Sequence, residues 1–269
     1  MNNSIPQLVE STILQNYNIR RSKTKFKLDP RNKPIMSVEL ENEIEAMIIQ
    51  FDQFEKWREW GMSHLREMGP ATFMEGPPGT GKTVIAQYIA RRIGRGVITM
   101  NMRDIGSSVP GQSERMIDEL FQKARITGNK LIFMDECEAI AWDRSKASVE
   151  SRWMVGVIDE LLMQVAKYKG PMVFATNNPG MVDAALKDRC FAILQVKMPE
   201  TAERMRLWKQ KIPERFPLQL TTVQIEKIAS LQLSGRQIEN AIIREASHAL
   251  RESRLPSFQS LTNIASLLV

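Results

Sequence analysis

Apolar residues along this chain follow two rhythms. Five short runs, ATFME, GVITM, KLIFMD, PMVFATN and FAILQV, are nearly continuous in apolar character, as strands buried on both faces are. Between them, TVIAQYIARRIG, SERMIDELFQKARITG and SRWMVGVIDELLMQVAKYKG repeat apolar positions at helical spacing. Strands that alternate with helices predict a five-stranded parallel sheet covered on both faces, an α/β sandwich. Gly94, Gly128 and Gly170 stand where helix C-caps are expected.

The flanks read differently. SVELENEIEAMIIQFDQFEKWREW predicts a helix that Ser37 caps and Gly61 ends, with Leu40, Ile44, Ile48 and Phe51 on one face. After Pro199, TAERMRLWKQKI, TTVQIEKIASL and SGRQIENAIIREASHALRES are all helical in period, with no clear strand between them. Three units are expected: an arm over residues 1–38 with a short helix at PQLVESTILQNY, an α/β core over 39–198, and a small all-α lid over 199–269.

Composition narrows the class. The 269 residues are 43% hydrophobic and 25% charged, with no apolar run long enough to span a bilayer and no signal-peptide pattern. A cytoplasmic protein with no membrane contact is expected. Cys137 and Cys190 are the two cysteines and His64 and His248 the two histidines, too few for a zinc site or a disulfide framework. Any metal is then Mg²⁺, held through oxygens and phosphates. The net charge of +6 is modest, but the run from Arg20 to Lys33 is basic and poor in apolar residues, as an exposed arm would be.

The chemistry concentrates at strand ends. GPPGTGKT follows the first strand and opens a helix, the setting that a phosphate-binding P-loop requires. Gly76, Pro77, Pro78, Gly79, Thr80, Gly81, Lys82, Thr83 and Val84 are the candidate nucleotide-binding residues. Lys82 is expected on the β and γ phosphates of ATP, and Thr83 on Mg²⁺. LIFMDECEA places Asp135 and Glu136 at the end of another strand. Asp135 suits a Mg²⁺ held through water, and Glu136 a base for the attacking water, so ATP hydrolysis is expected. Glu138 reads as a solvated turn residue.

Three further residues have two readings each. Asn177, ending VFATN, faces the γ-phosphate or is a turn residue before Pro179. Arg189, in AALKDRC, is lent to another subunit's γ-phosphate or makes a surface ion pair. Arg236, next to Gly235 at the start of a helix, reaches the γ-phosphate or points to solvent.

Together these segments resemble the AAA+ ATPase superfamily, in its AAA branch. GPPGTGKT is similar to its Walker A, FMDE to its Walker B, ATNNP to sensor 1, ALKDR to the arginine-finger segment and LSGR to sensor 2. The order and spacing match from about Lys33 to Ser253. Asn101 is similar to the polar residue that restrains the Walker B glutamate. The resemblance implies an ATP-hydrolysing ring, a homo-hexamer, that remodels a protein partner. Gly235 then joins the nucleotide contacts, and Arg152 is a second candidate for the arginine in trans. VPGQSERMIDELFQKAR resembles pore loop 1 and its helix, which would place Val109, Pro110 and Gly111 on the client. Members that thread polypeptide usually carry an aromatic there, so limited remodelling is expected. The DR and LSGR segments are similar to the pachytene-checkpoint ATPases that remodel HORMA proteins. Two other readings compete. One is a nucleic-acid-associated AAA+ protein such as a helicase loader, replication or transposition factor, supported by the charge and the basic arm. The other is a switch that assembles on ATP and recruits partners.

Overall fold

The computed structural model describes residues 33–61, 69–106, 111–128, 130–139 and 152–269, with backbone only at 52, 54, 55, 57, 58 and 152–154. The helix expected at PQLVESTILQNY, the basic run before Lys33, and Val109 and Pro110 lie outside the described residues.

Helix α1 (Val38–Glu59) starts where Ser37 Oγ accepts the Leu40 N–H. The five apolar runs form β1 (Ala71–Glu75), β2 (Val97–Asn101), β3 (Leu131–Asp135), β4 (Met172–Thr176) and β5 (Ala192–Gln195). Helices between and after them are α2 (Lys82–Arg92), α3 (Met102–Gly106), α4 (Gln112–Ile126), α5 (Arg152–Lys167) and α6 (Ala184–Lys187). Then come α7 (Thr201–Lys211), α8 (Thr222–Ala229), α9 (Gly235–Arg251) and α10 (Phe258–Ser266).

The strands make one parallel sheet in the order β2-β3-β4-β1-β5. The α/β sandwich follows from their sequence: β1 and β4 are buried at every position, so both faces must be covered. One face packs on α3, α4 and α5 through Phe73, Phe121, Leu161 and Phe174. The other packs on α1 and α2 through Ile44, Met47, Ile85, Ile89 and Phe133. Glu45 of α1 accepts hydrogen bonds from Arg92 and Tyr88 of α2, which ties the first helix to the one that opens at the P-loop. After β5, α7–α10 close on their own cluster around Trp208, Ile228, Ile238 and Leu261. Ile35 packs against that cluster, while Met36 is buried with α1 and α2.

Two expectations change. Gly94 and Gly128 do turn left-handed after their helices, but Gly170 does not. It is there for space, because a Cβ would lie 2.5 Å from the Tyr168 hydroxyl oxygen. The short helices α3 and α6, and α10 at the end of the chain, went unread in the sequence. Among the described residues no helix is long and apolar enough to cross a membrane.

Candidate functional site

Parallel strands bring their C-terminal ends to one edge of the sheet, where ligands of such folds gather. Gly76–Gly81 leave β1 there, and α2 begins at Lys82 with its N-terminus facing that edge. Gly79 and Gly81 take left-handed conformations, φ 79° and 101°, which glycine alone adopts freely. Gly79 is also hemmed in: an added Cβ would lie 2.7 Å from Ser234 Oγ. The loop turns back on itself through the Thr80 hydroxyl, which donates to the Pro77 carbonyl at 2.9 Å.

Lys82 Nζ donates to the carbonyls of Gly76 at 2.6 Å and Pro77 at 2.9 Å. Burial pushes its pKa down. Asp135 and Glu138 pull it back up, and the positive charge of Arg236 lowers it further. Two cations thus converge on the loop, an arrangement that a polyphosphate would relieve. Arg236 is solvent-exposed, but its N–H donates to the Gly79 carbonyl at 3.2 Å. Ser234 caps α9 at the same place. A Cβ added at Gly235 would lie within 4 Å of Gly79 O, Leu207 and Lys211. The start of α9 therefore rests directly on the loop, while Val84, on the first turn of α2, is half exposed.

Asp135 ends β3 beside this loop. Its Oδ2 accepts the Thr83 hydroxyl at 3.3 Å, and its Oδ1 the Glu136 N–H at 2.9 Å. Burial pushes its carboxyl up, more than these two hydrogen bonds bring it down. Thr83 and Asp135 offer adjacent, partly buried hard oxygen donors, which fit Mg²⁺ completed by phosphate and water oxygens.

Glu136 is held in a left-handed backbone conformation, φ 57°, which strains a residue with a side chain. Its Oε2 lies 3.0 Å from Arg103 Nε, close enough for an ion pair but without hydrogen-bond alignment. Asn101 stands opposite Asp135 in the β2–β3 register, one position from Glu136, and its Oδ1 accepts the Arg103 N–H at 2.9 Å, which shapes the start of α3. The sequence reading missed Arg103.

Glu138 was expected as a solvated turn residue. It lies in a 3₁₀ turn, Cys137–Ala139, but it is not simply solvated. Its carboxylate accepts the Thr176 hydroxyl at 2.6 Å and the Asn177 N–H at 3.3 Å. Because β3 and β4 are neighbours, a carboxylate three residues past Asp135 reaches the end of β4 and fixes the backbone of Asn177. Sequence spacing alone does not show that pairing.

Arg189 follows α6 and is partly buried. One guanidinium nitrogen donates to the Ala185 carbonyl at 3.1 Å, which folds the side chain along its own helical turn. Gly111 precedes α4 in a left-handed turn. The side chain of Arg152, the other candidate arginine, lies outside the described residues.

Comparison with known proteins agrees with this geometry. Residues 72–198 match the model of the ATPase family associated with various cellular activities (AAA). A 26S proteasome regulatory subunit homologue of Methanocaldococcus jannaschii is 31% identical over 187 residues, 66% of this chain and 49% of that protein. Protein SAV of Sulfolobus acidocaldarius is 35% identical over 72% of this chain and 26% of its own length. Katanin p60 ATPase-containing subunit A1 of Strongylocentrotus purpuratus is 30% identical over 71% of this chain and 39% of its length. The chain thus spans half or less of the length of these relatives. With the matched segment covering the sheet from β1 to β5 and the P-loop between β1 and α2, the chain belongs to the AAA+ ATPase superfamily.

Proposed function

We propose that this chain binds ATP with Mg²⁺ on Gly76–Val84, hydrolyses it, and works as a homo-oligomeric ring, a hexamer by family resemblance, to remodel a protein partner. The observation that carries the nucleotide reading is the convergence of Lys82, Thr83, Asp135, Glu136 and Arg236 on one sheet edge. Lys82 leaves the loop carbonyls for the β and γ phosphates, and the first turn of α2 adds its N–H groups. Thr83 and Asp135 would hold Mg²⁺, which would supply charge neutralisation on the phosphate oxygens. Glu136 takes a proton from the attacking water once it turns from Arg103. Asn177, its backbone fixed by Glu138, orients that water. Arg236 reports the γ-phosphate to the lid helices over 199–269, because its own N–H already holds the Gly79 carbonyl.

Arg189 completes the neighbouring subunit's site in this reading, with Arg152 as the alternative donor. The relatives named for the proteasome regulatory subunit and for katanin favour a protein client, contacted near Val109–Gly111 and by the N-terminal arm. The net charge of +6 favours a nucleic-acid-associated role as the second reading. Stimulation of the ATPase by DNA that fades steeply with salt would support it.

A mixing assay tests the ring. Arg189→Ala should bind ATP yet turn over roughly 10³-fold more slowly, as loss of such a finger does. Lys82→Ala should not bind ATP. Mixed, the two should regain activity where an intact Arg189 faces an intact Lys82. Mixtures that stay inactive, for Arg152→Ala as well, would sink the trans assignment.

A further inference from the structure

Glu75 is the last residue of β1, one position before the P-loop begins at Gly76, and its side chain is only 10% exposed. A carboxylate buried to that degree needs a cation. In register it faces Thr176 on β4 and Gln195 on β5, and Gln195 Nε2 donates to Glu75 Oε2 at 2.8 Å. The other oxygen, Oε1, is met by Lys187 Nζ at 2.6 Å, as an ion contact without hydrogen-bond alignment. Lys187 is itself 22% exposed. Its Nζ also donates to the Pro179 carbonyl at 2.9 Å and stands 5.6 Å from the centre of the Phe73 ring.

Three parts of the candidate site therefore meet on one ammonium group. Glu75 connects it to the P-loop. Pro179 connects it to the turn that follows Asn177. Lys187 closes α6, two residues before Arg189, whose guanidinium folds back on the Ala185 carbonyl of the same turn. An arginine that serves a neighbour must be aimed from its own subunit, and the pair with Glu75 ties the end of α6 to β1, beside the core packing of Leu186 in the same turn.

We propose that Lys187 is a positioning residue: its buried pair with Glu75 fixes where Arg189 points, and so governs hydrolysis in the adjacent subunit rather than in its own. The proposal rests on the reading of Arg189 as acting in trans. The pair holds charge without alignment, so its work is to set distance, and misplacing a reacting group by about 1 Å can cost roughly 100-fold in rate.

The test is Lys187→Met, which keeps the chain over Phe73 and removes the charge. Because that leaves Glu75 buried without its cation, the double variant Glu75→Gln/Lys187→Met is measured beside it, with both charges gone. Each should bind a fluorescent ATP analogue within a few-fold of wild type while turnover falls roughly 10- to 100-fold. Mixing either with Lys82→Ala, which brings a correctly aimed Arg189 but no nucleotide of its own, should restore turnover. A merely structural loss would not be repaired by a neighbour. Unchanged turnover in both variants overturns the proposal. So does slow turnover that Lys82→Ala cannot rescue while it does rescue Arg189→Ala; Lys187 would then serve its own P-loop. Failure to rescue Arg189→Ala instead removes the trans reading, and the proposal with it.

Discussion

Asp135 is half-buried beside Thr83, and that burial holds its carboxyl above the usual value of 3.8 despite two hydrogen bonds. A folded-state pKa raised above the unfolded one favours folding at low pH. That stability is lost as pH rises through the raised pKa, so at neutral pH the ionised carboxylate works against the fold. Asp135→Asn should therefore raise the melting temperature of the nucleotide-free protein at pH 7. The difference should shrink as pH falls toward 3.8. The same variant should lose the extra stability that Mg²⁺ with ATP gives, about 2.7 kcal/mol for wild type at 100 times Kd. A lower melting temperature at pH 7 would show that Asp135 stabilises the empty fold. Residues of this kind were legible because the chain itself places them: a carboxylate at the end of an apolar strand, a glycine loop before a helix. Arg103 and Glu138 were not, because each meets its partner across strands. The β2–β3 register sets Asn101 opposite Asp135, and Glu138 reaches β4 only through the order β3-β4. Nothing local in NMRDIG or DECEA states either neighbour.

Elements reveal themselves in proportion to their length and periodicity. The five strands and the helices α1, α2, α4, α5, α7, α8 and α9 were readable because each repeats its pattern over more than one turn or along a whole apolar run. α3 and α6 span five and four residues, too short to show a period. α10 did carry a signal, a Ser257 cap with Leu261, Ile264 and Ala265 buried on one face, and it docks through a polar anchor in α9. Glu245, fully buried, accepts from Arg254, the Ser257 N–H and Ser260. Burial alone would raise its pKa, but these three partners outweigh it and hold the carboxyl below the usual 4.5. The sign is then opposite to Asp135: the stability is present above the unfolded value and lost as pH falls through the lowered one. Glu245→Gln should cost about 1–3 kcal/mol, the penalty for leaving buried partners poorly matched. Hydrogen exchange should locate the loosening in α10, well ahead of β1 and β4. Uniform loosening of the sheet would mean that α10 is not an independently stabilised unit.

At the scale of the molecule, two clusters cover the sheet's faces and a third holds α7–α10. The P-loop touches both parts through the Arg236 N–H to the Gly79 carbonyl. Sequence pattern could announce the sheet and the helices after it, but an assembly is a property of surfaces, and no periodicity records which surfaces meet. The proposed trans arginine makes the assembly measurable without knowing the client. If Arg189 of one subunit completes the site of another, a lone chain has a nucleotide pocket but an incomplete catalytic one. Specific activity should then rise with protein concentration and level off once subunits are assembled. Because the missing arginine is worth roughly 10³-fold, dilution through the assembly range should lower activity per subunit by a large factor. Binding of a fluorescent ATP analogue should change much less, since Lys82 and the P-loop belong to one chain. Arg189→Ala should show low activity at every concentration, with no rise on assembly. Activity per wild-type subunit that stays constant from the most dilute measurable solution to the most concentrated, while sedimentation shows the chain passing from monomer to oligomer, would mean the site is complete in one chain.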